Sequence, residues 1–245
     1  MTTDRGLLGA AILAVGVALG GLFIGHGFVR AKAAERFVTV KGVAEREVKA
    51  DLAIWPIHVV GADNDLAAAN AKVASSVAGV RQFLARHAID TSQIQLADFS
   101  VADAEANQYG PDRKAANRFV VQEMVLVRST HPDAVLKASQ QISELAAIGV
   151  VVSGGAGYGS GDTGPTFVFT GLNALKPSMI ADATARAREA ASQFAHDSHS
   201  EVGDIREASQ GVFEILPRDE APGISESSQI AKRVRVVSTI DYYLQ

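Results

Sequence analysis

Residues 37–61 have the sequence FVTVKGVAEREVKADLAIWPIHVVG, and their pattern indicates how the domain begins. β-Branched residues recur through both halves of this stretch and alternate in part with polar residues, which predicts two adjacent strands. Gly42 predicts a bulge in the first strand. Pro56 predicts an edge position or a bulge in the second, because proline has no N–H to donate. Trp55, the only tryptophan, is expected in the core.

Three helices are predicted downstream, because apolar residues recur there at helical spacing. The first lies within 62–89, and one of residues 63–65 is expected to cap it. The second lies within 131–149, with Pro132 in its first turn. The third lies within 176–198. The predicted inward faces are Leu66, Val73, Val77, Val80 and Leu84; Val135, Ala138, Ile142 and Leu145; and Ile180, Ala183, Ala187, Ala191 and Phe194.

Strand-like segments alternate with these helices. They are 93–105 with 117–129, 148–152 with 165–171, and 202–216 with 232–244. The predicted order is therefore ββ-α-ββ-α-ββ-α-ββ, and the fold class is α+β with antiparallel or mixed sheets covered by three helices. The polar segment 217–229 has no apolar periodicity and is predicted to be mobile.

A glycine-rich run, VVSGGAGYGSGDTG at 151–164, contains a G-x-G-x-x-G pattern from Gly159 to Gly164. In dinucleotide-binding proteins, such a pattern leads into a helix whose N-terminal N–H groups meet the phosphates. Here Pro165 and a strand-like segment follow instead. Because no Walker A lysine is present either, the run is interpreted as a long flexible hairpin loop over 153–165.

The N-terminal segment LLGAAILAVGVALGGLFIGHGFV, residues 7–29, is long and apolar enough to span a bilayer as one helix. It divides the chain into a short tail (1–6), a transmembrane anchor (7–29), a linker (30–36) and an α+β domain (37–245). Gly16 with Gly20 and Gly21 with Gly25 form two GxxxG pairs, which are candidates for close helix packing in the membrane. The alternative is a signal peptide cleaved near Ala33, although its apolar region would be unusually long. Flanking charges alone favour a cytoplasmic domain.

Composition excludes some functions and leaves others open. The net charge is −4 and no basic run occurs, so nucleic-acid binding is not expected. The absence of cysteine excludes thiol catalysis. No catalytic residues, cofactor-binding residues or metal ligands are assigned. Two alternatives stay open: a hydrolase whose site is assembled from dispersed residues, and a metal-binding stress protein using His196 and His199 with Glu201 nearby.

Three stretches resemble the SIMPL-domain family of bacterial envelope proteins across residues from about 36 to 245. They are VTVKGVAEREVKADLAI (38–54), the helix that contains Asn70, and FTGLNALKPSMIADATARAREAASQFAHDSHSEVGDI (169–205). The family pattern combines a V-x-G strand, a Pro-Asp-x-Ala turn and a late alanine-rich helix. The chain keeps Val40-Lys41-Gly42 and Asp51-Leu52-Ala53 but has Ala50 where the family has proline.

The resemblance implies an α+β fold, a periplasmic domain, a link to oxidative or envelope stress, and self-assembly. The family pattern contains no catalytic residues that could be assigned to positions of this chain. A periplasmic domain contradicts the charge count, and the resemblance is preferred because large domains cross membranes largely regardless of flanking charge. The expected protein is a single-pass inner-membrane protein, or a soluble periplasmic one if the segment is cleaved. It would act as a non-catalytic binding and assembly module, as a homo-oligomer or with envelope proteins whose identity the sequence does not specify.

Overall fold

The computed structural model describes Gly16 and residues 19–22, 36–106, 116–153 and 164–245. The predicted class is confirmed: the domain is α+β with antiparallel sheets. Contacts divide the chain into two compact units. The central unit comprises Glu45–Lys176 and Glu214–Arg235, and the terminal unit comprises Met1–Ala44, Pro177–Phe213 and Val236–Gln245.

The described helices and strands follow one another in a β-rich order. The strands are β1 (Phe37–Lys49), β2 (Leu52–Asp63), β3 (Ile94–Asp103), β4 (Phe119–Ser129), β5 (Val152–Ser153), β6 (Thr166–Val168), β7 (Val202–Gln210), β8 (Glu214–Pro217) and β9 (Ala231–Leu244). The α-helices are α1 (Leu66–Arg86), α2 (Pro132–Gln140), α3 (Ser143–Ala147) and α4 (Leu172–Asp197). Two short 3₁₀ helices lie at Thr91–Gln93 and Glu226–Ser228.

The central unit is built on a five-stranded sheet in the order β3-β4-β2-β5, with β6 also paired to β2. These strands pair with one another in antiparallel orientation. Helix α1 packs on one face through Val73, Val77, Val80 and Leu84, as its periodicity predicts. Asp65 caps this helix by accepting a hydrogen bond from the N–H of Ala68 at 2.8 Å. Trp55 is buried in the same core and meets Phe83 edge to face.

Pro56 lies inside β2, although a proline is rare within a sheet. On one side it stands opposite Leu126 of β4. On the other side β6 pairs with residues 52–54 of β2, and β5 pairs with His58 and Val59. Pro56 therefore falls in the gap between two short strands. Pro56 therefore occupies a local edge, as predicted. Because neither β5 nor β6 pairs with it, the missing N–H of the proline costs no hydrogen bond to either strand.

The terminal unit packs α4 against a sheet in which β9 lies between β1 and β7. The main-chain N–H of Leu244 donates to Arg36 at the start of β1, so β1 and β9 run antiparallel. The helix approaches unusually closely: a Cβ added to Gly42 would lie 1.8 Å from the carbonyl oxygen of Ala183. Glycine at 42 therefore provides the space for helix contact.

Several details differ from the sequence-based expectations. The second helix is two helices, α2 and α3, and segment 202–216 is two strands separated at residues 211–213. The described order is therefore ββ-α-ββ-αα-ββ-α-βββ. Segment 217–229 is not without structure, because it contains a 3₁₀ helix. Leu66 is exposed, and so is Phe194. The buried face of α4 is Met179, Ala183, Ala187, Ala191 and Ala195. Phe194 was therefore wrongly placed inward, whereas Ile180 is partly buried.

The predicted anchor, residues 7–29, lies mostly outside the described residues, and Gly25 is among those outside. Gly16, Gly20 and Gly21 are helical, and a Cβ added at any of them would meet no atom within 4 Å. Among the described residues, no helix has both the length and the apolar character needed to cross a membrane.

Candidate functional site

The most exposed apolar strand of the central unit is β3, at the edge of its sheet. It pairs with β4 on one side, and no described strand pairs with its other side. Leu96, Phe99 and Val101 are 46%, 57% and 44% exposed. An open sheet edge presents unpaired N–H and C=O groups, and exposed apolar side chains beside it add a hydrophobic contribution to strand pairing. This edge is the best candidate interaction surface of the described central unit.

A bulge divides the edge into two short segments. The register with β4 shifts between Ala97 and Ser100, and Asp98 has a positive φ of 51°. Asp tolerates that conformation better than most residues. Because bulges interrupt continuous pairing, this edge favours a short, defined contact over open-ended strand addition.

An ion-pair cluster holds the end of the β3–β4 hairpin. The Arg118 guanidinium donates two hydrogen bonds to the Asp103 carboxylate, each 3.2 Å long, and lies 2.9 Å from Glu105. Its main-chain N–H donates to Asn64 at 3.0 Å. The Arg118 hydrogen bond is the largest cause that lowers the pKa of Asp103, followed by the N–H of Glu105. The cluster therefore fixes the register of the candidate edge near Asp103.

The G-x-G-x-x-G pattern has the surroundings expected of a loop. Residues 154–163 lie outside the described residues, but those that follow do not begin a helix: Thr166–Val168 form β6. The strand predicted after Pro165 is confirmed. A phosphate held by this pattern would lack the helix N-terminus on which the binding mechanism depends.

The structure does not bring the histidine candidates together as a metal centre. His196 is on the surface, with its Nδ1 3.2 Å from a carboxylate oxygen of Asp197. The pKa of Asp197 is lowered, chiefly by a hydrogen bond from Gln193 and then by His196. His199 has a φ of 53° just after α4. Within the described ranges, no group of three or more His, Cys, Asp or Glu residues is arranged to hold a metal ion.

The other carboxylates whose pKa is shifted each have an adjacent donor that explains it. Asp63 is bound by Lys72, Asp90 by Ser92 and Asp219 by Arg218, and in each case that hydrogen bond is the largest cause lowering the pKa. Capping and surface ion pairing explain these shifts without a reaction. The hydrolase alternative gains no support from them.

Sequence reasoning missed one buried charge. The side chain of Lys232 on β9 is completely buried, and its ammonium donates to both the carboxylate and the main-chain carbonyl of Glu226. The side-chain amide of Gln229 also accepts a hydrogen bond from the main-chain N–H of Asp219 and donates one to its carbonyl oxygen. These contacts hold the segment predicted to be mobile. The signal in the sequence was a lysine at an inward position of an alternating strand.

Comparison with known proteins adds one match. The family described as SIMPL, a protein of unknown function (DUF541), matches residues 38–238, which include nearly all of both sheets. A search of curated proteins found no match.

Proposed function

This chain belongs to the SIMPL family of proteins of unknown function (DUF541), and on that premise we propose that it is a membrane-anchored envelope protein that works by binding and assembly. In this proposal residues 7–29 form a single-pass anchor in the bacterial inner membrane. The α+β domain lies in the periplasm and acts without a catalytic step, under oxidative or envelope stress.

The observation that carries the assembly proposal is the edge of β3. Leu96, Phe99 and Val101 expose apolar side chains next to main-chain groups that pair with no described strand, and the bulge at Asp98 limits the length that can pair. Two copies pairing through this edge would form an antiparallel, self-complementary contact, which suits a symmetric dimer or a larger closed assembly. The open glycines in the described part of the anchor suit close contact with a second helix.

The test compares two exposed apolar residues in the full chain purified in detergent micelles. Phe99→Asp places a charge on the β3 edge, and Val212→Asp places the same charge at a residue that is 78% exposed between β7 and β8. Light scattering, corrected for bound detergent, should give a multiple of the chain mass for the wild type and for Val212→Asp. Phe99→Asp should give a lower mass. A wild-type monomer, or equal masses for all three proteins, would contradict assembly through this edge.

The location is tested separately with a reporter fused after Gln245. A reporter that is active only outside the cytoplasm is the expected result. Activity only in the cytoplasm would overturn the proposed orientation and agree with the flanking charges. Detection of a shortened chain beginning near Ala33 would replace the anchor with a cleaved signal peptide.

A further inference from the structure

The described helices of the central unit cover one face of its sheet. The buried residues of α1, α2 and α3 join a single hydrophobic cluster with Ile57 and Val59 of β2 and with Val121 and Val125 of β4. Because side chains alternate between the two faces of a strand, the even-numbered residues of β2 and β4 lie on the opposite face. None of them belongs to a described hydrophobic cluster. This opposite face, together with the β3 residues in register with it, is called the open face below.

The open face is rich in apolar residues. Its larger apolar side chains are all partly exposed, and they are Ile54, Pro56, Val60, Val120, Met124 and Leu126. Among the positions paired in register on β2, β3 and β4, Arg128 is the one Arg, Lys, Asp or Glu on this face. An antiparallel sheet that faces water on one side normally carries polar residues there. The centres of protein–protein interfaces, in contrast, are depleted of charged residues and enriched in Met.

The other sheet of the domain shows how this chain builds a face for water. On β9, Val234 and Val236 are buried, and Arg233 and Arg235 alternate with them on the other side. Arg233 lies 3.8 Å and Arg235 lies 3.5 Å from the carboxylate of Glu45 on β1. That outer face therefore carries charged side chains, which water solvates readily. The open face of the central sheet lacks such a layer, which indicates that another protein surface covers it.

Met124 lies at the centre of the open face. It is the middle residue of β4, and β4 runs between β3 and β2. Met124 stands opposite Ala97 on one side and His58 on the other. Burying this centre would therefore leave no carboxylate or ammonium without a counter-ion, which is the costly step when a charged surface is covered.

The size of the open face suits a second copy of the chain. Strand β4 is 11 residues long, which gives the face a length of about 37 Å. The width of four neighbouring strand positions, from β3 to the position shared by β5 and β6, is about 19 Å. Two copies packed through such faces would bury about 1,400 Å² in total, which is within the range of specific, stable interfaces.

We infer that two copies of this chain pack through their open faces about a two-fold axis near Met124. Sheets that pack face to face keep their strands nearly aligned because their twists match, and two copies of one sheet have the same twist. The connecting residues 107–115 and 154–163 contain no Val, Leu, Ile, Met or Phe, so their composition does not suit covering an apolar face. Face packing and pairing at the β3 edge use different surfaces, so the two contacts are independent and together would join more than two copies.

The first test measures the mass of the full chain in detergent micelles by light scattering. Met124→Lys places a charge at the centre of the open face, and Met124→Leu is the matched apolar control. The wild type and Met124→Leu should have the same mass, and Met124→Lys should have about half of it, because a buried unpaired charge opposes association. Combining Met124→Lys with Phe99→Asp, which blocks the β3 edge, should give a monomer. Circular dichroism and thermal melting check that each variant is folded.

The second test uses disulfide formation and does not depend on how well a charge is tolerated. The chain has no cysteine, so an introduced cysteine has no competitor. A two-fold axis near Met124 places the two copies of that residue opposite each other, and Met124→Cys should form a disulfide-linked dimer under mild oxidation. Val212→Cys, at a residue that is 78% exposed between β7 and β8, is the control for random collision.

The outcomes separate this contact from the β3 edge. The inference is overturned if folded Met124→Lys keeps the wild-type mass, or if Met124→Cys forms dimers no faster than Val212→Cys. A lower mass in Phe99→Asp alone would then leave only the edge contact, whereas a lower mass in Met124→Lys alone would leave only face packing. A wild-type monomer would overturn both. An internal disulfide between Gly20→Cys and Met124→Cys, formed without dimers, would identify the N-terminal segment as the occupant and overturn packing between copies.

Discussion

The carboxylate of Asp51 accepts two hydrogen bonds from Thr170, one from its main-chain N–H and one from its hydroxyl, each 2.9 Å long. The two residues are 119 positions apart and lie in two of the stretches that carry the family resemblance. The N–H of Asp51 also donates to Val168 at 3.0 Å. The aspartate of the Asp-x-Ala turn therefore fastens the β1–β2 turn to the connection between β6 and α4. Its role in this chain is structural.

We predict that the two side chains stabilise the fold jointly. Asp51→Ala and Thr170→Val should each lower the free energy of unfolding, by about 1–2 kcal/mol for the aspartate and less for the threonine, which keeps its main-chain bond. In a double-mutant cycle measured by urea unfolding, the pair should show a coupling energy of about 0.5–1 kcal/mol. Strictly additive effects would mean that the contact is not formed in solution.

Replacing Gly42 should be among the most damaging small substitutions in the described domain. Gly42→Ala places a methyl group into the backbone of α4 at Ala183, and the strand or helix must move to relieve the overlap. The expected loss is about 3 kcal/mol or more. Gly203→Ala is the milder control, because an added Cβ there would lie 3.1 Å from the flexible side-chain amide of Gln245 and 3.2 Å from the carbonyl oxygen of Tyr243, and so would not overlap the backbone. If the two variants had similar melting temperatures, the close helix–strand contact would be disproved.

The buried ion pair should respond asymmetrically to the loss of each partner. Glu226→Ala leaves the buried Lys232 ammonium without its counter-ion and should cost about 3 kcal/mol. Lys232→Met removes the buried charge, keeps the apolar stem and leaves a partly exposed glutamate. We expect its free energy of unfolding to stay within about 1 kcal/mol of the wild type. Urea titrations measure both, and a more damaging effect of Lys232→Met would contradict the argument.

Acid should weaken the β3–β4 hairpin through Asp103. Its pKa in the folded protein lies below its ordinary value of 3.8, because Arg118 favours the charged form. The stabilisation is therefore present above that ordinary value and is lost as the pH falls through the lowered pKa. Asp103→Asn should be less stable than the wild type at pH 7, and the difference should shrink as the pH falls through the lowered pKa of Asp103. Asp204→Asn, at an exposed position of β7, serves as the control. A difference that stayed constant with pH would exclude this linkage.

Sequence periodicity predicted those parts of the fold in which burial alone decides the position of a side chain. Val73, Val77, Val80 and Leu84 recur at helical spacing and are all buried. The same reasoning failed on α4, because it favoured the larger Phe194 over Ala195. Ala195 is buried because the backbone of α4 lies close to β1, as the contact at Gly42 shows, and leaves room only for small side chains. The distance between α4 and β1 depends on the strand, so the helix sequence alone does not reveal it.

The interaction surfaces were less accessible to sequence reasoning, because they depend on strand order. The sequence of residues 93–105 predicts a strand but does not indicate that this strand lies at the edge of its sheet. Leu96 and Phe99 could therefore not be distinguished from the residues of an interior strand. The loop before β9 was predicted to be mobile because it has no apolar periodicity of its own. It is held by the contact between Glu226 and Lys232, and Lys232 belongs to β9, outside the loop.

The pairing of β1 with β9 joins the first and last strands of the domain, and it has a consequence for biogenesis. The central strand of the terminal sheet is the last to be synthesised, so β1 has no partner until almost the whole domain has been made. Contacts between such distant segments slow folding. In a nascent chain emerging from a ribosome, β1 would therefore stay unpaired through most of translation, and the terminal sheet could form only after β9 had been synthesised.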